Sequence, residues 1–217
     1  MKNSLRNASL FFFILSIVGC QSAYYSAMEK VGKHKRDILI DRVESATDSQ
    51  KEAKEKFKNA LEQFSALVYF DGAELQQQYE MNNDHYHTSK IAADDVTERI
   101  DAIENVAEAL FNEWYNELDQ FTNQSLKRQS QSRYRETQNR YNAVIKSMRN
   151  AEKRMQPVIN ALKDNMLYLK HNLNAQAIGE LKTEYKVIKQ DVERLISEMN
   201  NSINKSQTFI DSLKALN

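Results

Sequence analysis

The chain has one cysteine, one proline, four glycines and one tryptophan among 217 residues. A single cysteine excludes an internal disulfide and any zinc site built from several thiolates. Sheets need frequent turns, and turns draw on glycine and proline, so this scarcity excludes a sheet protein. The glycines are isolated, which excludes a glycine-rich phosphate loop. Neither sign of charge prevails, since 30 Lys+Arg stand against 30 Asp+Glu. No global field therefore points to nucleic acid or to an anionic surface. The one apolar run, Leu10 to Val18, falls short of the roughly 20 residues that cross a bilayer.

That run has another use. Lys2 and Arg6 precede it, and Ile17-Val18-Gly19-Cys20 closes it. A short basic start, an apolar stretch of this length and a small residue at the cut make a secretory leader. The final four residues resemble the lipobox of bacterial lipoproteins. The resemblance implies cleavage between Gly19 and Cys20, removal of residues 1–19, and lipid on the Cys20 thiol. Two or more acyl chains hold a protein firmly, at about 0.8 kcal/mol per buried CH₂. The expected partner is then a membrane, and the expected place the cell envelope. Gln21 in place of Asp implies, for a Gram-negative source, the outer membrane facing the periplasm. Tyr24 and Tyr25 suit either the headgroup region or an exposed tether. Loss of Lys2 and Arg6 leaves the mature chain two negative charges in excess.

Residues 20–40 are expected to form the lipidated N-terminus, a tether and the start of a first helix. Residues 41–217 are expected to form a long helical bundle. Long stretches rich in Ala, Glu, Lys, Gln, Leu and Arg give an all-α chain. Val43, Ala46, Gln50, Ala53, Phe57, Ala60, Phe64 and Leu67 recur at steps of three and four, ending at Asp71-Gly72. A second seam starts at Leu75 and Tyr79, weakens through Asn82, Tyr86 and Ser89, and runs from Ala93 to Leu110, Trp114 and Phe121. After a break at Asn123–Ser125 comes a third, Tyr134 to Leu169, with Pro157 inside it. The last follows a break at His171–Gln176, where Asn172 and Asn174 can cap, and carries Ile178 to Met199 before slipping at Ile203. A seven-residue rhythm favours supercoiled helices side by side. Segments of about 40–50 residues make helices of about 60–75 Å. Short breaks make neighbours antiparallel. The expected fold is an elongated antiparallel four-helix bundle, monomeric or a homodimer. Gln50, Thr137 and Asn165 are the polar seam positions that would fix register.

Charge is neutral overall and segregated locally. Residues 94–119 carry nine acids and one base, Arg99. Residues 127–154 carry nine bases and two acids, Glu136 and Glu152. Folding at Asn123–Ser125 sets the two stretches against each other, with residue i beside 248 − i, so that Trp114 meets Tyr134. One reading is charge pairing across the hairpin. The other is an anion site on the third helix, through Arg135, Arg140 and Arg149, for lipopolysaccharide, cell-wall polymer or phospholipid. Nucleic acid is not an expected partner.

Chemistry is harder to find. Asp84-His85-Tyr86-His87 is the one metal-like cluster, and His85 and His87 diverge on a helix because they are two apart. Adjacent carboxylates such as Asp94 and Asp95 also diverge. No catalytic residue, metal site or cofactor is expected, and the protein is not expected to be an enzyme. The remaining classes are a non-catalytic helical scaffold or spacer that binds envelope proteins, and the anion-binding module.

Four stretches carry a further resemblance: Ala107-Glu108-Ala109-Leu110-Phe111, Met155-Gln156-Pro157-Val158, Leu167 to Ile178, and Ile196 to Asn200. Together they resemble a family of gamma-proteobacterial envelope lipoproteins of unknown function. The resemblance implies a helical envelope protein and transfers no functional residue.

Overall fold

The computed structural model describes residues 24, 25, 27–70 and 74–215. Gly19, Cys20 and the Asp71-Gly72 turn lie outside the described residues. Four helices account for the bundle: α1 Lys35–Val68, α2 Leu75–Leu118, α3 Gln124–His171 and α4 Ala175–Lys214. Each packs chiefly against its two neighbours in the ring α1–α2–α3–α4, with α4 closing against α1. Among the described residues there is no strand. No described helix is long and apolar enough to cross a membrane.

The heptad seams become the core. In α1 Val43, Ala46, Gln50, Ala53, Phe57, Ala60, Phe64 and Leu67 are all buried. Phe57 and Phe64 are the largest wholly buried side chains. Burying an aromatic side chain of this size stabilises by roughly 1.5–3 kcal/mol, which is why these positions set the packing. The core also recruits the region before 41, through Tyr25, Ile38, Leu39 and Ile40. Helical residues 24, 25 and 27–30 precede the start of α1, and Gly32 makes the reversal at a φ of +81°. That left-handed conformation suits glycine because a Cβ would clash with the backbone.

Side-chain caps set the helix starts. Asn123 accepts from the Ser125 and Leu126 amides at 2.9 and 3.2 Å. Asn174 accepts from the Ala177 amide at 3.0 Å. An N-cap asparagine satisfies amides that have no partner within the helix. The expected break at Asn123–Ser125 is thus displaced. The turn is 119–123, and Gln124 and Ser125 already belong to α3. α3 runs unbroken through Pro157.

Two seams differ from expectation. Near the end of α2 the buried positions are Phe111 and Leu118, while Leu110 and Trp114 are half-buried. In α4 the slip at Ile203 is not a break, because Ser202 and Ser206 continue the buried face to Phe209, Ile210 and Leu213. Gln50, Thr137 and Asn165 are all buried, but only Gln50 bonds across helices, accepting from Ser202 Oγ at 3.0 Å. Asn165 Nδ2 donates to the Ala161 carbonyl of its own helix at 2.7 Å.

Candidate functional site: the charged α2–α3 hairpin

α2 and α3 meet in the expected register. The Trp114 and Tyr134 rings stand edge to face with centroids 5.7 Å apart, and Trp114 Nε1 donates to Ser130 Oγ at 2.9 Å. Phe111 packs edge-on against Tyr134 at 5.8 Å and tilts against Tyr141 at 5.4 Å. Burial pushes the Tyr141 hydroxyl up to about 12, with the Glu104 carboxylate adding to the effect.

Charge crosses this hairpin at two places. Arg149 donates through Nε to Glu104 at 3.3 Å and through its two terminal nitrogens to Asp101, Glu104 and Glu152. Hydrogen bonding to Glu104 above all, against the opposing effect of burial, holds the guanidinium charged beyond the ordinary arginine range. Lys127 reaches Asp119 at 3.1 Å across the turn. Among the described residues the other neighbouring helix pairs carry one ion pair each. Lys35 bridges to Glu113, Arg154 to Glu198 and Lys214 to Glu44, at 3.0, 3.6 and 2.7 Å. Burial opposes the Lys35 charge, yet Glu29 and Glu113 together hold its pKa above the usual lysine value.

The three arginines proposed for an anion do not converge. Arg149 is enclosed by its three carboxylates, and Arg140 pairs with Glu136 on its own helix. Arg135 is exposed, and no ion pair among the described residues involves it. Steps of five and nine along a helix turn the three side chains to different faces. Arg128 and Arg133, not singled out by the sequence, are exposed near Arg135 and likewise lack a carboxylate partner among the described residues.

A family model described as Protein of unknown function (DUF2959) matches the chain over residues 24–213. The chain belongs to this family. The match begins at the helical stretch ahead of α1 and ends in the last turn of α4, so the family unit and the bundle coincide. No curated protein and no solved structure matches the chain.

Two of the concave surfaces among the described residues adjoin this hairpin. A cavity of about 460 Å³ opens where Lys35, Arg36, Trp114, Thr137 and Leu213 approach one another. Its rim mixes Glu29, Glu113 and Glu117 with the bases, so neither sign of charge dominates. A groove of about 680 Å³ between α2 and α3 is lined by Asp94, Glu98, Asp101 and Glu152. Among the described residues no group of three His, Cys, Asp or Glu is placed to hold a metal ion. His85 is half-buried and His87 exposed on α2.

Proposed function

We propose that the protein is a lipid-anchored envelope protein whose helical rod serves as a non-catalytic scaffold or spacer for other envelope proteins. The observation that carries this reading is Cys20 behind a basic and apolar leader, set directly before a domain that begins at residue 24. Cleavage at Gly19 would leave lipid on Cys20, and only a few residues would separate membrane from bundle. By this reading the source is gamma-proteobacterial and the rod faces the periplasm from the outer membrane. α3 alone has 48 residues, so the rod reaches about 70 Å at 1.5 Å per residue. A rod of that length offers long side faces for partners, and its interior is an apolar seam.

The second reading, an anion-binding module, draws on Arg128, Arg133 and Arg135, which are exposed and have no carboxylate partner among the described residues. Arg140 and Arg149 contribute little to it because they are already paired. Photo-crosslinkers placed along α1 and α4 in cells separate the two readings. A scaffold gives discrete protein adducts that disappear in Cys20→Ser. Adducts to lipid or lipopolysaccharide alone would refute the scaffold.

A further inference from the structure

The α2–α3 hairpin is longer than the rest of the bundle at one end. Tyr141 of α3 packs on Phe209 of α4 with centroids 6.4 Å apart, and Arg154 of α3 faces Glu198. Counting along both helices from these contacts, the last α4 residue, Lys214, stands level with residue 136 of α3. Residues 124–135 therefore have no α4 beside them, over about 18 Å of helix. α1 gives no cover either, since Lys35 at its start is level with Glu113.

What the overhang exposes is amphipathic. Leu126 and Arg133 are seven apart and share the α3 face that would have met α4. Leu126 is 51% exposed, and Tyr115 across the hairpin is 61% exposed. Asp119 is held by Lys127, Glu113 by Lys35 and Glu136 by Arg140. Lys35 is shared between Glu113 and Glu29, so Arg128, Arg133 and Arg135 stand against Glu117 and one of those two carboxylates, and a surplus of positive charge remains at the tip. Helical residues 27–30 sit at this same end, where Glu29 bridges to Lys35. Tyr24 is four residues from Cys20, a reach of at most about 14 Å.

We infer that the overhanging hairpin tip binds the surface of an anionic bilayer, with Arg128, Arg133 and Arg135 on lipid phosphates and Leu126 and Tyr115 in the headgroup region. The inference rests on the lipid-anchor reading only for its choice of a bilayer as the occupant. Each arginine near an anionic surface adds roughly a fivefold gain in affinity, and an apolar side chain beside it adds burial. A tip of this kind gives the rod a second point of attachment besides the lipid. Two points fix orientation as well as position.

The test uses vesicles of phosphatidylglycerol and phosphatidylcholine at 3:7, and of phosphatidylcholine alone. The chain from Gln21 onward contains every contact described above and lacks the lipid. A Trp114→Phe, Leu126→Trp version carries its one indole at the tip. The expected result is binding to the phosphatidylglycerol vesicles, quenching of that indole by brominated lipid, and loss of both in high salt. Arg128→Gln, Arg133→Gln and Arg135→Gln together should weaken binding about a hundredfold while leaving the helical melt unchanged. Equal binding to both vesicles, an unquenched indole, or a triple variant that binds like the parent would overturn the inference. So would binding to heparin with none to vesicles. The anchor is read separately, from whether the whole protein extracted from cells stays on phosphatidylcholine vesicles and Cys20→Ser does not.

Discussion

Gln50 offers a sharp test of how the core is balanced. Its side chain is wholly buried midway along α1. Oε1 accepts from Ser202 Oγ at 3.0 Å, but Nε2 has no partner. A buried donor left unpaired costs about 1–3 kcal/mol, and one neutral hydrogen bond contributes about 1. Gln50→Leu removes both and adds apolar contact in a seam of Ala46, Ala53 and Phe57. Ser202 Oγ can then turn back to a carbonyl one helical turn earlier, as Ser206 Oγ already does to Ser202 O at 2.8 Å. The net expectation is a gain of about 1 kcal/mol, rising to about 1–2 kcal/mol when Ser202→Ala is added. For a domain of this size that is a rise in Tm of about 2–4 °C per kcal/mol. Thermal and urea melts followed by far-ultraviolet circular dichroism measure it. A fall of about 1 kcal/mol or more, one hydrogen bond's worth, would refute the reasoning. It would mean that Nε2 is satisfied and that the polar layer stabilises the fold outright.

Other perturbations follow from the same contacts. Arg149→Met should cost about 1–3 kcal/mol, reduced from a fully buried pair because the guanidinium is partly exposed. Thermal melts measure that loss, and a variant as stable as the parent would contradict the grouping of Asp101, Glu104 and Glu152 around the guanidinium. Tyr141 should titrate at about 12, in ultraviolet absorbance, with its Phe variant removing that step. Since the folded chain holds this proton more tightly than the unfolded one, the contribution is whole below pH 10 and is lost as pH rises towards 12. Cysteines at 114 and 134, in a Cys20→Ser background, should crosslink through a short reagent, whereas reaction of 114 only with 185 would refute the helix order.

The helices were legible because their seams are written in large side chains. Every buried α1 position from Val43 to Leu67 except Thr47 could be read directly, since Phe57 and Phe64 are spaced one heptad apart. α4 was harder past Met199, because there the seam passes through Ser202 and Ser206, which look like surface residues in sequence. At the end of α2 a 3.6-residue helix drifts against a seven-residue repeat, and Phe111 replaces Leu110 at the core. The charge segregation of 94–119 and 127–154 foretold the hairpin, but only Arg149 and Lys127 are placed to pair across it. The overhang was not legible. It depends on where α4 ends relative to α3, a stagger set by packing and absent from any local pattern. That is why Arg135 was noticed in sequence while Arg128 and Arg133, its neighbours at the tip, were not.

The account turns on Cys20 as the point of attachment. Cells fed radiolabelled fatty acid should incorporate label into the wild-type protein and none into Cys20→Ser. Equal labelling of the two, or label in neither, would contradict a lipid-anchored rod.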